Sequence, residues 1–232
     1  MQATVTKPLL SPTCNQGATP PPSLTPPLDC SLCPRLVAFR HHHQALSPDW
    51  HNAPVTSFGT PSAQLAIIGL APGLRGANRT GRPFTGDYAG DLLYATLAHY
   101  GWTKGTYTTD PNDDFQLVNA RIMNSVRCVP PDNKPTTTEV KTCQRFLQAE
   151  LAEMPNIQVY LTLGRIAHHA LLDCLAIPRK THPFQHQGIS RLNNGRSIIS
   201  SYHCSRYNTQ TRRLTESMFA AVFADIQNLL AS

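Results

Sequence analysis

Four short stretches of aliphatic and β-branched residues recur along this chain, and each is followed by a segment in which apolar residues return every three or four positions. The apolar stretches cover 65–70 (Leu-Ala-Ile-Ile-Gly-Leu), 117–123, 159–163 and 197–202. Their length and composition predict strands, and the longer period that follows predicts helices over 91–100, 138–151, 166–174 and 214–230. A further helix is expected to run from the Cys33-Pro34 pair through Leu36, Val37, Phe39 and Arg40 towards His41-His42-His43, a run that reads as a solvated helix end. Strand and helix in alternation imply a three-layer α/β/α sandwich around a four-stranded parallel sheet. In such sheets the working residues lie at the carboxyl ends of the strands. Here those ends are Gly69 to Gly73, Asn124-Ser125, Gly164-Arg165 and His203-Cys204-Ser205.

The opening segment has a different character. Residues 1–29 are dominated by Pro, Thr and Ser, including Pro20-Pro21-Pro22 and Pro26-Pro27, and carry too little apolar surface to offset the entropy of ordering. We expect a disordered arm there and one folded domain over 30–232, a length that supports a single good core. The start has no compact apolar segment behind positive charge of the kind a signal peptide needs, and no run approaches the roughly twenty apolar residues of a membrane span. The expected setting is a reducing, cytoplasmic one. The net charge of +6 suits a polyanionic partner without proving one.

Cysteine spacing sharpens the picture. Of seven cysteines, Cys30 and Cys33 are spaced C-x2-C, and Cys128 and Cys143 follow nearly a hundred residues later as C-x14-C. The second pair opens in Arg127-Cys128-Val129-Pro130-Pro131, a stiff turn that a simple zinc ribbon does not require. Thiolates are ligands for both zinc and iron–sulfur centres. One short knuckle with a long second arm fits a [4Fe–4S] cluster better than a zinc knot, which more often uses two knuckles; unrelated buried cysteines are the bland alternative. Cys14, Cys174 and Cys204 are left over.

The strand-end loops carry a resemblance. The runs GLAPGLRGANRTGRPFTGDYAG, IMNSVRCVPPDNKPTTTEVKTCQRFL and SYHCSRYNTQTRRLT resemble the three signature regions of the iron–sulfur uracil-DNA glycosylases, and within them family 5, the type-b enzymes. Family 4 enzymes carry an acidic residue where this chain has Leu70. The resemblance spans nearly everything from Cys30 onward. It departs from the family pattern at Cys204, where Pro or a small residue is usual, and at Arg212, where Gly is common. It implies the uracil-DNA glycosylase fold, a [4Fe–4S] cluster on Cys30, Cys33, Cys128 and Cys143, and DNA containing uracil or another deaminated base, hypoxanthine included, as partner of a monomeric enzyme.

The reaction then asks for particular groups. Cleaving an N-glycosidic bond requires the base to leave the stack and negative charge to be stabilised on it as it departs. Phe84 offers a face for the flipped base, unless it is a core residue under its loop. Asn124 offers a donor and an acceptor that match an imide edge, unless it caps its own loop. His203 can donate to the oxygen on which charge develops, and Asp87 can steer water or stabilise a cationic sugar. The resemblance places the type-b acidic residue at Asp87; Asp91, the competing carboxylate, is expected to cap or to face solvent. Gly69, Ala71 and Gly73 are expected to bring backbone close to the base, and Ser205, Arg206 and Asn208 to grip phosphates. The alternatives are a family 4-like uracil specialist and a non-catalytic iron–sulfur DNA-binding protein.

Overall fold

A computed structural model describes residues 25–231. Most of the expected arm therefore lies outside the described residues. Thr25 to Asp29 are described, and Pro26 is buried against the cysteines beyond it.

In chain order the elements are α1 (Pro34–Leu46), β1 (Phe58–Gly59), β2 (Leu65–Gly69), α2 (Ala77–Thr80), α3 (Tyr88–His99), β3 (Thr103–Lys104), β4 (Gln116–Leu117), β5 (Ala120–Asn124), α4 (Thr137–Ala152), β6 (Val159–Leu163), α5 (Arg165–Cys174), β7 (Gly188–Arg191), β8 (Ser197–Ser201), α6 (Arg206–Gln210) and α7 (Glu216–Ala231). The sheet runs β1-β5-β2-β6-β8-β7. Its four central strands are parallel, as the strand–helix alternation requires. The four-stranded expectation stops short of the edges: β1 pairs antiparallel with β5, and β7 with β8, so the sheet is six-stranded and mixed. These edge strands were invisible to an apolar-run search because their side chains are only half-buried or exposed. The expected strand over 117–123 is also two strands, broken at Asn119, whose φ of 52° interrupts extended backbone.

Alternation along the strands divides the core. Leu65, Ile67, Ile122, Leu161 and Ile199 face α3 and α7, which contribute Leu93, Leu97, Phe219, Val222 and Phe223. Their neighbours Ala66, Ile68, Met123, Tyr160 and Ile198 face the other way, against Leu147 and Leu151 of α4 and Leu171 and Leu172 of α5. The period-2 pattern thus feeds two helical layers from one sheet. A third, smaller cluster joins Leu36 of α1 to Val126, Cys128, Cys143 and Phe146. Helix α4 begins at a full capping box, in which Thr136 and Glu139 each satisfy the other's backbone N–H.

Candidate active site

The carboxyl ends of β2, β5 and β8 open onto one pocket of about 570 Å³, walled by Leu70, Ala71, Phe84, Asp87, Asn124 and His203, with Arg75, Asn133 and Arg206 also on its lining. That volume lies in the range of small-molecule sites. No helix among the described residues is long and apolar enough to cross a membrane.

Asn124 ends β5 and is 2% exposed, yet its Oδ1 has no hydrogen-bond partner. A buried acceptor left unpaired costs about 1–3 kcal/mol, so a side chain this placed is poised for a donor from outside the fold. Asn124 therefore does not cap its own loop. Gly69, the last residue of β2, explains how Asn124 reaches the pocket beside Phe84: a Cβ there would lie 2.5 Å from Asn124 Oδ1 and 2.8 Å from the Phe84 ring. Glycine at this position is required by close approach.

Phe84 has a φ of 52°, a left-handed conformation that a bulky residue rarely adopts. Its surroundings impose it. Tyr94 Oη donates to the Pro83 carbonyl at 2.5 Å, and Gly90 passes so near the Phe84 carbonyl that any side chain would overlap it. Arg82 clamps the same turn from beneath. Its guanidinium donates to both Asp113 oxygens, at 2.5 and 2.9 Å, and lies over the rings of Phe58, Tyr107 and Phe115. Phe84 is 8% exposed, so it is at once part of the core and part of the pocket wall. Its ring lies nearly parallel to that of His203, at 26°, with centroids 6.0 Å apart.

Asp87 stands at the N-cap of α3, and Asp91, expected to cap or to face solvent, is exposed one turn further on. Asp87 Oδ1 accepts from the Gly90 amide at 3.0 Å, which leaves Oδ2 towards the turn formed by Gly73 and Gly76. A Cβ at Gly73 would lie 2.9 Å from Oδ2, and one at Gly76 would overlap it. Gly76 was missed by sequence reasoning, although the Gly73-x-x-Gly76 spacing held the signal. Asp91 lies outside the pocket lining; burial, then the neighbouring Asp87 charge, push its carboxyl up, while Tyr107 and Arg206 oppose the shift.

His203 follows β8. Burial holds its imidazole below the ordinary histidine range, with Asp87 pulling the other way, so the ring is neutral near pH 7. Among the described residues neither ring nitrogen has a hydrogen-bond partner. The next loop is arranged around it: Ser205 caps α6 by accepting from the Asn208 amide, and Asn208 Nδ2 donates to the His203 carbonyl at 2.8 Å. Of the three residues expected to grip phosphates, Ser205 and Asn208 thus spend polar groups inside the loop. Arg206 lines the pocket with its guanidinium over the Tyr88 ring, and the next residue, Tyr207, is 71% exposed. Cys204 points inward and is fully buried, its Sγ directed at the Ala89 carbonyl.

The third small core holds the other predicted constellation. Cys30, Cys33, Cys128 and Cys143 line one small apolar cavity with Pro26, Leu36, Val126 and Phe146, while Cys174 lies elsewhere, on α5. None of these cysteines is in a disulfide. Among the described residues no group of three or more His, Cys, Asp or Glu could hold a metal ion. Burial pushes the Cys128 and Cys143 thiols up to about 12 and about 11. N–H donors nonetheless point at both sulfurs, Arg40 Nη1 at Cys128 (3.5 Å) and the Arg127 amide at Cys143 (3.3 Å). Ala71 packs against this cluster while also lining the large pocket, so the two sites share a wall.

Comparison with known proteins agrees with this architecture. The family model for the uracil DNA glycosylase superfamily matches residues 56–227. A type-5 uracil-DNA glycosylase of Thermus thermophilus is 44% identical over 206 residues, covering 86% of this chain and 93% of the relative. The chain is a type-5 member of the uracil DNA glycosylase superfamily. A type-5 enzyme of Mycobacterium leprae is 36% identical over 86% of this chain and 91% of its own length. A type-4 uracil-DNA glycosylase of Thermotoga maritima aligns over only 51% of this chain, at 32% identity. Placement in the type-5 branch agrees with Leu70 at the position where the type-4 pattern is acidic. In this type-5 member the whole pocket lining, Leu70 to Arg206, falls inside the span of the family model.

Proposed function

We propose that this chain is a DNA-repair glycosylase that hydrolyses the N-glycosidic bond of uracil in DNA. Its relatives of 44% and 36% identity are named as uracil-DNA glycosylases. The observation that carries the reading is the buried, unpartnered Oδ1 of Asn124 in the wall of a pocket that also presents Phe84, Asp87 and His203. A uracil imide supplies the missing donor to Oδ1 and an oxygen for the Asn124 amide.

A uracil turned out of the duplex lies against Phe84 and pairs with Asn124. As the bond between the sugar and the base breaks, its electron pair moves into the ring and accumulates on the base oxygen nearest the sugar. The neutral His203 imidazole donates a hydrogen bond to that oxygen, where oriented donation acts on charge absent from the ground state. The sugar left behind is electron-poor. Asp87, at a helix N-terminus where negative charge is favourable, stabilises it and accepts a proton from the water that adds to the anomeric carbon. Free uracil and an abasic site result. Arg75 and Arg206 at the pocket supply phosphate contacts, and the exposed Tyr207 ring is available to fill the stack where the base has left. All named residues lie on one chain, so the reading needs no second subunit, and free thiols suit a cytoplasmic setting.

The four cysteines fit a [4Fe–4S] cluster in their chemistry: all soft sulfur donors, gathered on one cavity, two of them receiving N–H bonds. When bound, such a cluster supplies folding free energy by tying the segment before α1 to the loop after β5 and to α4.

The pocket volume and the apolar Leu70 wall extend the substrate range to hypoxanthine, since shape alone discriminates weakly against a larger base. Matched duplexes carrying uracil, hypoxanthine or no lesion, treated with enzyme and then alkali, test all of this. Uracil should be released in minutes and hypoxanthine more slowly. No hypoxanthine release over many hours makes the chain a uracil specialist; no release of either base makes it a binding protein.

A further inference from the structure

Arg40 is buried as few arginines are. It sits on α1 at 2% exposure, and no carboxylate meets it: none of the ion pairs among the described residues includes Arg40. Its Nη2 donates to the Cys30 carbonyl at 3.1 Å, its Nη1 points at Cys128 Sγ at 3.5 Å, and its Nε is buried without a partner. A guanidinium keeps its charge in a protein, and burying one with only a carbonyl and a neutral thiol for company is strongly unfavourable. The other buried arginines show the usual solution, Arg82 on Asp113 and Arg127 on Glu150. Arg40 lacks such an anion, and what lies against it is a cysteine of the four-thiol cavity.

We infer that Arg40 is the buried counter-charge of the cluster proposed for Cys30, Cys33, Cys128 and Cys143, a positioning residue that neutralises part of the negative charge of the thiolate-held centre. The inference rests on the cluster reading. Four thiolates on a cubane core of charge +2 leave a net charge of −2, and one-electron reduction raises it to −3. A fixed positive charge at Cys128 favours retention of the centre and favours its reduced form, because charge and hydrogen bonds at the sulfurs set such potentials. Arg40 also donates to the Cys30 carbonyl, so it ties a ligand of the first pair to one of the second.

The test uses full-length protein purified without oxygen, as wild type, Arg40→Lys and Arg40→Gln. Wild type should contain about four irons per chain; wild type without iron overturns the cluster reading and the inference with it. With iron present, Arg40→Gln should lose its visible absorbance to a chelator at least tenfold faster and show a more negative midpoint potential. Arg40→Lys should restore most of both, since it keeps the charge. Should Arg40→Gln prove insoluble, an iron-replete Arg40→Lys supports the proposal and an equally insoluble one overturns it. Unchanged potential and chelation rate in Arg40→Gln overturn the role of Arg40 alone and leave the cluster standing.

Discussion

Asn208 Nδ2 reaches back five residues to the carbonyl oxygen of His203, at 2.8 Å, and so fixes the backbone that carries the imidazole. Ser205, which caps the short α6, keeps Asn208 in that position. The loop thus braces the backbone of His203. Asn208→Ala should slow single-turnover uracil excision by about tenfold, the scale expected when a catalytic group loses its alignment. Affinity for undamaged duplex should change less than twofold; a loss confined to affinity would return Asn208 to the role of a phosphate contact.

Gly69 sets the distance between Asn124 and Phe84. A methyl there meets the amide oxygen at 2.5 Å and the ring at 2.8 Å, so both side chains must shift to admit it. Gly69→Ala should therefore reduce uracil excision by a hundredfold or more while the fold persists, because the substitution displaces two groups that position the base. Asn124→Ala should impair uracil release more than hypoxanthine release, since its paired donor and acceptor fit the pyrimidine imide. Equal losses for both bases would remove Asn124 from discrimination.

The central strands were legible because they are short apolar runs buried along nearly their whole length, and helices α3, α4, α5 and α7 because each buries an apolar stripe of period near 3.6. Edge strands β1 and β7 were not, since half-exposed residues leave no such stripe. Asp87 and His203 were legible as pocket residues from their motifs and strand-end positions, and the structure places them on the wall they were expected to share. The capping role of Asp87 was not legible, because either carboxylate agrees with the onset of the helical period, whereas the solvent-facing alternative for Asp91 agrees with its exposure. Arg82 and Asp113 were missed altogether. They lie 31 residues apart, in a motif and in an unpatterned loop, and only the fold brings them into contact.

Two buried groups contribute to the acid stability in separate pH windows. His168 is buried on α5: its Nε2 hydrogen donates to the His182 carbonyl, and its Nδ1 accepts from Ser200, both at 2.8 Å, an arrangement that only the neutral ring can make. Burial lowers its pKa below 6.5. The unfolded chain then binds the proton first as pH falls, so stability should decline on acidification below that value. Asp113 acts in a lower window. Its bond to Arg82 holds the carboxyl well below 3.8, so its contribution is full above that pH and is lost as pH falls towards its folded value. Urea midpoints should drop between pH 7 and 5, and less so in His168→Gln relative to its own value at pH 7. Arg82→Ala should cost about 3–5 kcal/mol at pH 7, the scale for breaking a buried pair; a loss below 1 kcal/mol would mean that the turn beneath Phe84 is held by other contacts.

The direct test of the account is single-turnover uracil excision by four proteins: wild type, Asp87→Asn, Asp91→Ala and His203→Ala. Asparagine caps a helix about as well as aspartate, so Asp87→Asn should keep the wild-type melting temperature and lose only the carboxylate facing Gly73 and Gly76. The account predicts release by wild type within minutes, losses of roughly a hundredfold or more in Asp87→Asn and His203→Ala, and a near wild-type rate in Asp91→Ala. Wild-type protein that leaves uracil in place, or an Asp87→Asn variant as fast as wild type, would contradict it.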